Sequence, residues 1–207
     1  MSRDGRIRRE RHGVVSLALD PVEAAIIRDA FADLMALLEG RAAPDAAAAP
    51  AEIVPGLPDP FAGDAGPTAP PADPALARLL PDAYRDDAEA AADFRRFTEQ
   101  DLVAGKQANI RALLATLAGA GAGAGDGTGA DGSPSGGPVR VHLDADALRA
   151  WLYALNDLRL ALGSRLEIED GYEETIAAME LDDPRLPHFA LYEWLTGLQD
   201  ALVRTQL

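Results

Sequence analysis

The chain's densest acidic run is Asp86, Asp87 and Glu89 with Asp93 following, the residue types from which a metal site or a paired acid–base centre is built. A helical metal site of that kind would also need a Glu-x-x-His pattern, which is missing. His12, His142 and His188 are scattered, and none stands at a zinc-ligand spacing. Asp182-Asp183-Pro184 reads as a turn. The chain lacks a Gly-x-Ser-x-Gly elbow and a Gly-Lys-Ser/Thr phosphate loop. With no cysteine, disulfides, thiolate catalysis, thiol redox sensing and Cys-ligated metals are excluded. These residues therefore point to no catalytic centre, metal or cofactor, and to a protein that acts through its surfaces.

Two other groups of polar residues could carry such a surface. Arg6, Arg8, Arg9 and Arg11 are the one dense basic cluster, in an N-terminal stretch that opposes them with only Asp4 and Glu10. They suit contact with nucleic acid or an acidic partner, or the blunting of an exposed edge strand by charge. No aromatic residues interleave with them, so base stacking is not indicated. The second group is Arg95, Arg96, Asn156, Asp157, Arg159 and Arg165, which lie in or just past apolar helical stretches. Buried polar groups need partners, so they read as a structural network, with Asp157 paired to an arginine across helices and Arg95 and Arg96 as the candidates. A binding cleft is the alternative.

These side chains must be positioned by a mainly α fold: a helical bundle with a small β-hairpin at residues 6–19 whose strand pairs with 139–143. In the hairpin, Arg6–Arg11 and Val14–Leu19 are the arms and His12-Gly13 the turn. Asp20, Pro21 and Glu23 spell a capping box. The helix they open carries Ile27, Phe31, Leu34 and Leu38 on one stripe, with Ile26, Ala30 and Leu37 beside it, and is expected to end at Gly40. Leu76–Leu80 is a short helix stopped by Pro81. A long helix from about Tyr84 to Leu117 should bury Phe94, Phe97, Ile110, Leu113, Leu114 and Leu117, with a kink at Gly105. Asp144 caps a helix over 145–162 stopped by Gly163; a short helix over 172–180 and a last one over 188–204 complete the chain.

Two stretches break this pattern. Residues 41–74 hold nine of the fifteen prolines, and residues 119–137 hold nine glycines. Both read as disordered linkers within a single domain of 207 residues. The formal net charge of -15 repels nucleic acid and anionic lipid at long range. No signal peptide or membrane-spanning run is expected, which makes the cytoplasm the default.

The chain also echoes itself. Val15-Ser16-Leu17-Ala18-Leu19-Asp20 leads into a helix with Ala30, Asp33, Leu34 and Leu38. Val139-Arg140-Val141-His142-Leu143-Asp144 leads into one with Ala154, Asp157, Leu158 and Leu162, in gapless register. A strand–cap–helix unit used twice would let both strands share one sheet; chance likeness between Leu/Ala-rich helices is the alternative.

Four segments carry a resemblance: Ala77-Arg78-Leu79-Leu80-Pro81-Asp82-Ala83-Tyr84, Phe94-Arg95-Arg96-Phe97-Thr98-Glu99, Trp151 through Leu166 with its Ala154-Leu155-Asn156-Asp157-Leu158-Arg159-Leu160 core, and Tyr192-Glu193-Trp194-Leu195. The chain resembles the actinobacterial AosR-type family, long classed as a domain of unknown function. The resemblance implies a transcriptional regulator linked to oxidative stress that works with a protein partner such as a sigma factor. Members are often encoded beside the ClpS adaptor, so an accessory role in regulated proteolysis is the second reading. DNA contact is weakly supported, and a homodimer stays open. The redox part of the family role relies on cysteines and does not carry over to this chain.

Overall fold

The computed structural model describes residues 6–42, 66–121 and 137–207. It is mainly helical with one small sheet, as the sequence indicates. The elements are β1 (Ile7–Arg9), β2 (Val15–Leu19), α1 (Pro21–Ala42), α2 (Pro74–Leu79), α3 (Ala88–Gly121), β3 (Val139–Leu143), α4 (Ala145–Arg165), α5 (Tyr172–Ala177) and α6 (Leu186–Arg204).

The sheet order is β1-β2-β3, antiparallel throughout. His12 and Gly13 turn the chain between β1 and β2 in the left-handed region, at φ 63° and 78°; a hairpin turn of this twist favours positive φ. β2 and β3, the two halves of the internal echo, pair along their full length from Val15 opposite Leu143 to Leu19 opposite Val139. Each then ends in an aspartate that caps a helix. Asp20 accepts from the Glu23 N–H while Glu23 accepts from the Asp20 N–H, at 2.8 and 2.9 Å; Asp144 accepts from the Ala147 N–H at 2.8 Å. These bonds satisfy N–H groups that the helices cannot.

Alternation along the strands sends Val15, Leu17, Leu19, Val141 and Leu143 to one buried face. That face meets the α1 stripe of Ile27, Phe31, Leu34 and Leu38, the Ile110, Leu113 and Leu117 side of α3, and Leu148, Trp151, Leu155 and Leu158 of α4. Trp151 lies fully buried; its indole N–H donates to Thr116 Oγ1 at 2.9 Å, and that hydroxyl donates to the Leu113 carbonyl at 2.7 Å. Leu195, Leu198 and Leu202 of α6 close the far side of the same cluster.

Several expectations are corrected. Phe94 and Phe97 are 47% and 68% exposed, because the buried side of the first half of α3 is Ala91, Arg95, Glu99 and Val103. α3 starts at Ala88 because Asp87 is its cap, accepting from the Ala90 N–H at 3.0 Å, and it runs unbroken through Gly105. α1 passes Gly40 and α4 passes Gly163, since neither glycine adopts the left-handed conformation of a helix stop. Of the expected linkers, residues 43–65 and 122–136 lie outside the described residues. Their flanks are structured: α1 reaches Ala42, α3 reaches Gly121, and residues 66–73 form a strap along α3. Gly66 donates its N–H to the Arg96 carbonyl at 3.0 Å, and a Cβ there would sit 3.0 Å from that same oxygen, so only glycine allows the approach.

Replacing Trp151 by alanine removes the largest fully buried side chain and the hydrogen bond its indole donates to Thr116, whose hydroxyl keeps its bond to the Leu113 carbonyl. The expected loss of unfolding free energy is about 3–5 kcal/mol, read from chemical denaturation curves with unchanged slope.

Candidate interaction surface

The side of the sheet turned away from the core is open. Strand register places Arg8 and His142 on either side of Ser16, and Arg140 beside Ala18. The Arg6 carbonyl accepts from the Ala18 N–H at 2.8 Å, which brings Arg6 to the same end. Small residues on the central strand and long cationic ones on its neighbours leave a shallow trough of about 440 Å³, with Glu10 and Asp20 also at its edges. Arg6 is already paired with Glu23 at 2.5 Å, and His142 lies 3.6 Å from Glu10. Arg8 and Arg140 have no carboxylate partner among the described residues.

The N-terminal arginines therefore do not form one patch. Arg6 and Arg8 share the outer face; Arg9, opposite Val15, falls in the inner-face register at the exposed edge; Arg11 sits in the turn. Arg140 completes the trough and His142 stands beside it on β3, opposite Ser16, although sequence proximity alone could not reveal either. Only the pairing of β2 with β3, already implied by the internal echo, brings them there.

The second group of polar residues divides into separate clusters. Asp157, buried in α4, is paired with the chain's only lysine, Lys106, at 2.7 Å, and not with an arginine. Burial pushes the Asp157 carboxyl above its ordinary range, and the hydrogen bond and charge of Lys106 pull it back in part. Arg95 and Arg96 instead hold the strap. Arg95, 6% exposed, pairs with Glu99 at 3.2 Å and with Asp82, and donates to the Thr68 carbonyl at 2.7 Å. Glu99, 4% exposed, also takes both nitrogens of Arg41, at 2.5 and 3.2 Å; Arg41 donates further to the Ala69 carbonyl at 2.7 Å. Two arginines thus share one buried carboxylate, tying the end of α1, the strap and α3 together. The Arg96 guanidinium lies 5.1 Å over the Phe97 ring.

Arg159 bridges α4 to α6, donating to Thr196 Oγ1 at 2.9 Å and Gln199 Oε1 at 2.7 Å, with its guanidinium 5.5 Å over the Tyr192 ring. Arg165 reaches Asp73, the cap of α2, at 3.4 Å. Asn156 is half-buried beside this bridge. Each of these polar residues with a bonded partner serves packing between elements, and they do not converge on a shared cleft.

Comparison with known proteins follows the same boundaries. Residues 4–206 match the family described as Domain of unknown function (DUF2017). The chain belongs to this family. It is 32% identical over 199 residues to the oxidative stress regulator AosR of Mycobacterium tuberculosis, covering 90% of this chain and 79% of that one, and equally to its counterpart in Mycobacterium bovis. A relative bearing the AosR name in Mycobacterium leprae is 33% identical over 196 residues, covering 88% and 78%. No solved structure matches.

For this family member, the described residues contain no group of three or more His, Asp or Glu able to hold a metal ion. No helix among them is long and apolar enough to cross a membrane. The acidic residues singled out at the start of α3 are spread along an exposed helix end, Asp87 acting as its cap. Asp183 is bonded by the side chain and backbone N–H of Arg185, which lowers its carboxyl to about 2.

Two outcomes test this accounting. Glu99→Ala leaves Arg41 and Arg95 buried around a lost anion and should cost about 3–5 kcal/mol. Arg6→Ala removes a more exposed pair and should cost less than about 1 kcal/mol; equilibrium denaturation of both reads the contrast. The raised carboxyl of Asp157 gives the second. A proton is bound more tightly in the folded than in the unfolded chain, so this group's contribution is full below the ordinary carboxylate range and falls as pH rises through its raised value. Wild type should therefore lose stability relative to Asp157→Asn as pH rises over that window, as followed by urea melts at a series of pH values.

Proposed function

We propose that this chain is a regulator linked to oxidative stress that acts through a protein partner, a sigma factor being the partner class of choice. Similarity over about nine-tenths of the chain to proteins named oxidative stress regulator carries this reading. The surface agrees with it. The open sheet face offers Arg8 and Arg140 to an acidic partner, on a chain whose net charge of -15 disfavours phosphate backbones at long range. Among the described residues, the polar clusters around Glu99, Asp157 and Arg159 hold helices and the strap together.

The test is affinity capture from the native host, comparing wild type with the double variant Arg8→Ala and Arg140→Ala, together with a promoter-DNA gel shift at two salt concentrations. The expected outcome is a sigma factor captured by the wild type, at least about tenfold less by the variant, and no DNA shift. Capture of a protease component in its place would favour the proteolysis role. A DNA shift that weakens steeply with salt would move the contact to nucleic acid.

A further inference from the structure

The stripe of Ile26, Ala30 and Leu37 lies beside the core stripe of α1 and is only partly covered by the described residues. α1 rests mainly on α3, its contact with α4 is thin, and a groove of about 530 Å³ runs between them. Its α1 wall is Ile26, Ala30 and Leu37; its opposite wall is Leu162 and Leu166 from the end of α4 and Leu191 of α6. Ile26 is 42% exposed, and the other five are half-buried. From Ile26 to Leu37 the groove spans three turns of α1, roughly 16 Å.

The charges at its mouth are unequal. Asp29 and Asp33 project from α1 along the groove, both exposed and without a cationic partner among the described residues. On the other side stand His188 and Arg165, and Arg165 already has Asp73 at 3.4 Å. An apolar channel of helical length with an uncompensated acidic lip matches the helix-in-groove mode of recognition. We infer that this groove receives an amphipathic helix of a protein partner, with aliphatic anchors three and four residues apart and a Lys/Arg flank set against Asp29 and Asp33. The contact is separate from the sheet face and opposite to it in charge preference, so each stands or falls alone.

The probe is a fluorescein-labelled amphipathic Leu/Lys helix about five turns long, titrated with the full-length chain and read by anisotropy. Its Leu/Glu counterpart is the control. Ile26→Gln removes an anchor without changing charge, at a position exposed enough to leave the fold intact; Asp33→Lys inverts the lip. Saturable micromolar binding of the Leu/Lys helix is expected, weakened about tenfold or more by either variant and unaffected by Arg8→Ala. The inference is overturned by absence of saturable binding, by equal binding of the Leu/Glu helix, or by affinity that Ile26→Gln leaves unchanged. Sedimentation showing a dimer that Ile26→Gln dissolves would assign the groove to a second copy of the chain and overturn it as well.

Discussion

The antiparallel ladder between Val15–Leu19 and Val139–Leu143 is the constraint on which the rest of the structure depends. It joins segments well over a hundred residues apart in the chain, so closing it carries a substantial loop entropy that must be recovered by what it brings together. What it brings together is the core. Each strand contributes alternate aliphatic side chains to one face, and each hands over through an aspartate cap to a helix whose first buried turn already lies on that face. Without the ladder, the two aliphatic strand faces lose the pairing that sets them side by side, and the two units meet only through the thin contact of α1 with α4 and through α3.

The same ladder explains why the polar residues sit where they do. With α1 and α4 anchored to adjacent strands, the long helix α3 must pass beside both. Its buried side in the first half includes Arg95 and Glu99, facing the strap and the end of α1, while past Gln107 it is aliphatic and the helix meets Trp151 through Thr116. Two arginines around one buried carboxylate are an expensive way to fix a position, since desolvation offsets most of the attraction. Their geometric return is that the strap, held through the carbonyls of Thr68 and Ala69, has one register along α3. The Lys106–Asp157 pair does the equivalent for α3 against α4 at the point where the packing changes character.

The fold was legible in the sequence wherever a local rule decided it. Strand alternation, the Asp20 and Asp144 caps and the core stripe of α1 all depend on neighbours within a few residues, and each stands where its pattern puts it. The internal echo even announced which strands would pair. Misreadings came where partners are remote. Phe94 and Phe97 read as core because hydrophobicity was weighed without knowing that Arg95 and Glu99 would find buried partners in Arg41, Asp82 and the strap. Pro-rich composition hid the strap itself, whose order comes from hydrogen bonds to a helix over twenty residues away. Arg140 in the trough and His142 beside it escape the sequence for the same reason: only the sheet joins them to Arg8.

A regulator of oxidative response that has no cysteine must separate reception of the signal from its delivery. This chain holds no thiol, so the sulfenate and disulfide chemistry that commonly reports peroxide has no residue here on which to occur. If the redox event belongs to another molecule, this chain would contribute surfaces that recognise one state of that molecule better than another. Differential affinity is the whole of such coupling. A rigid scaffold serves it well, because none of the binding free energy is then spent on ordering the receiver. The charge distribution fits that role: on a chain of net charge -15, the described sheet face offers Arg8 and Arg140 to an acidic surface.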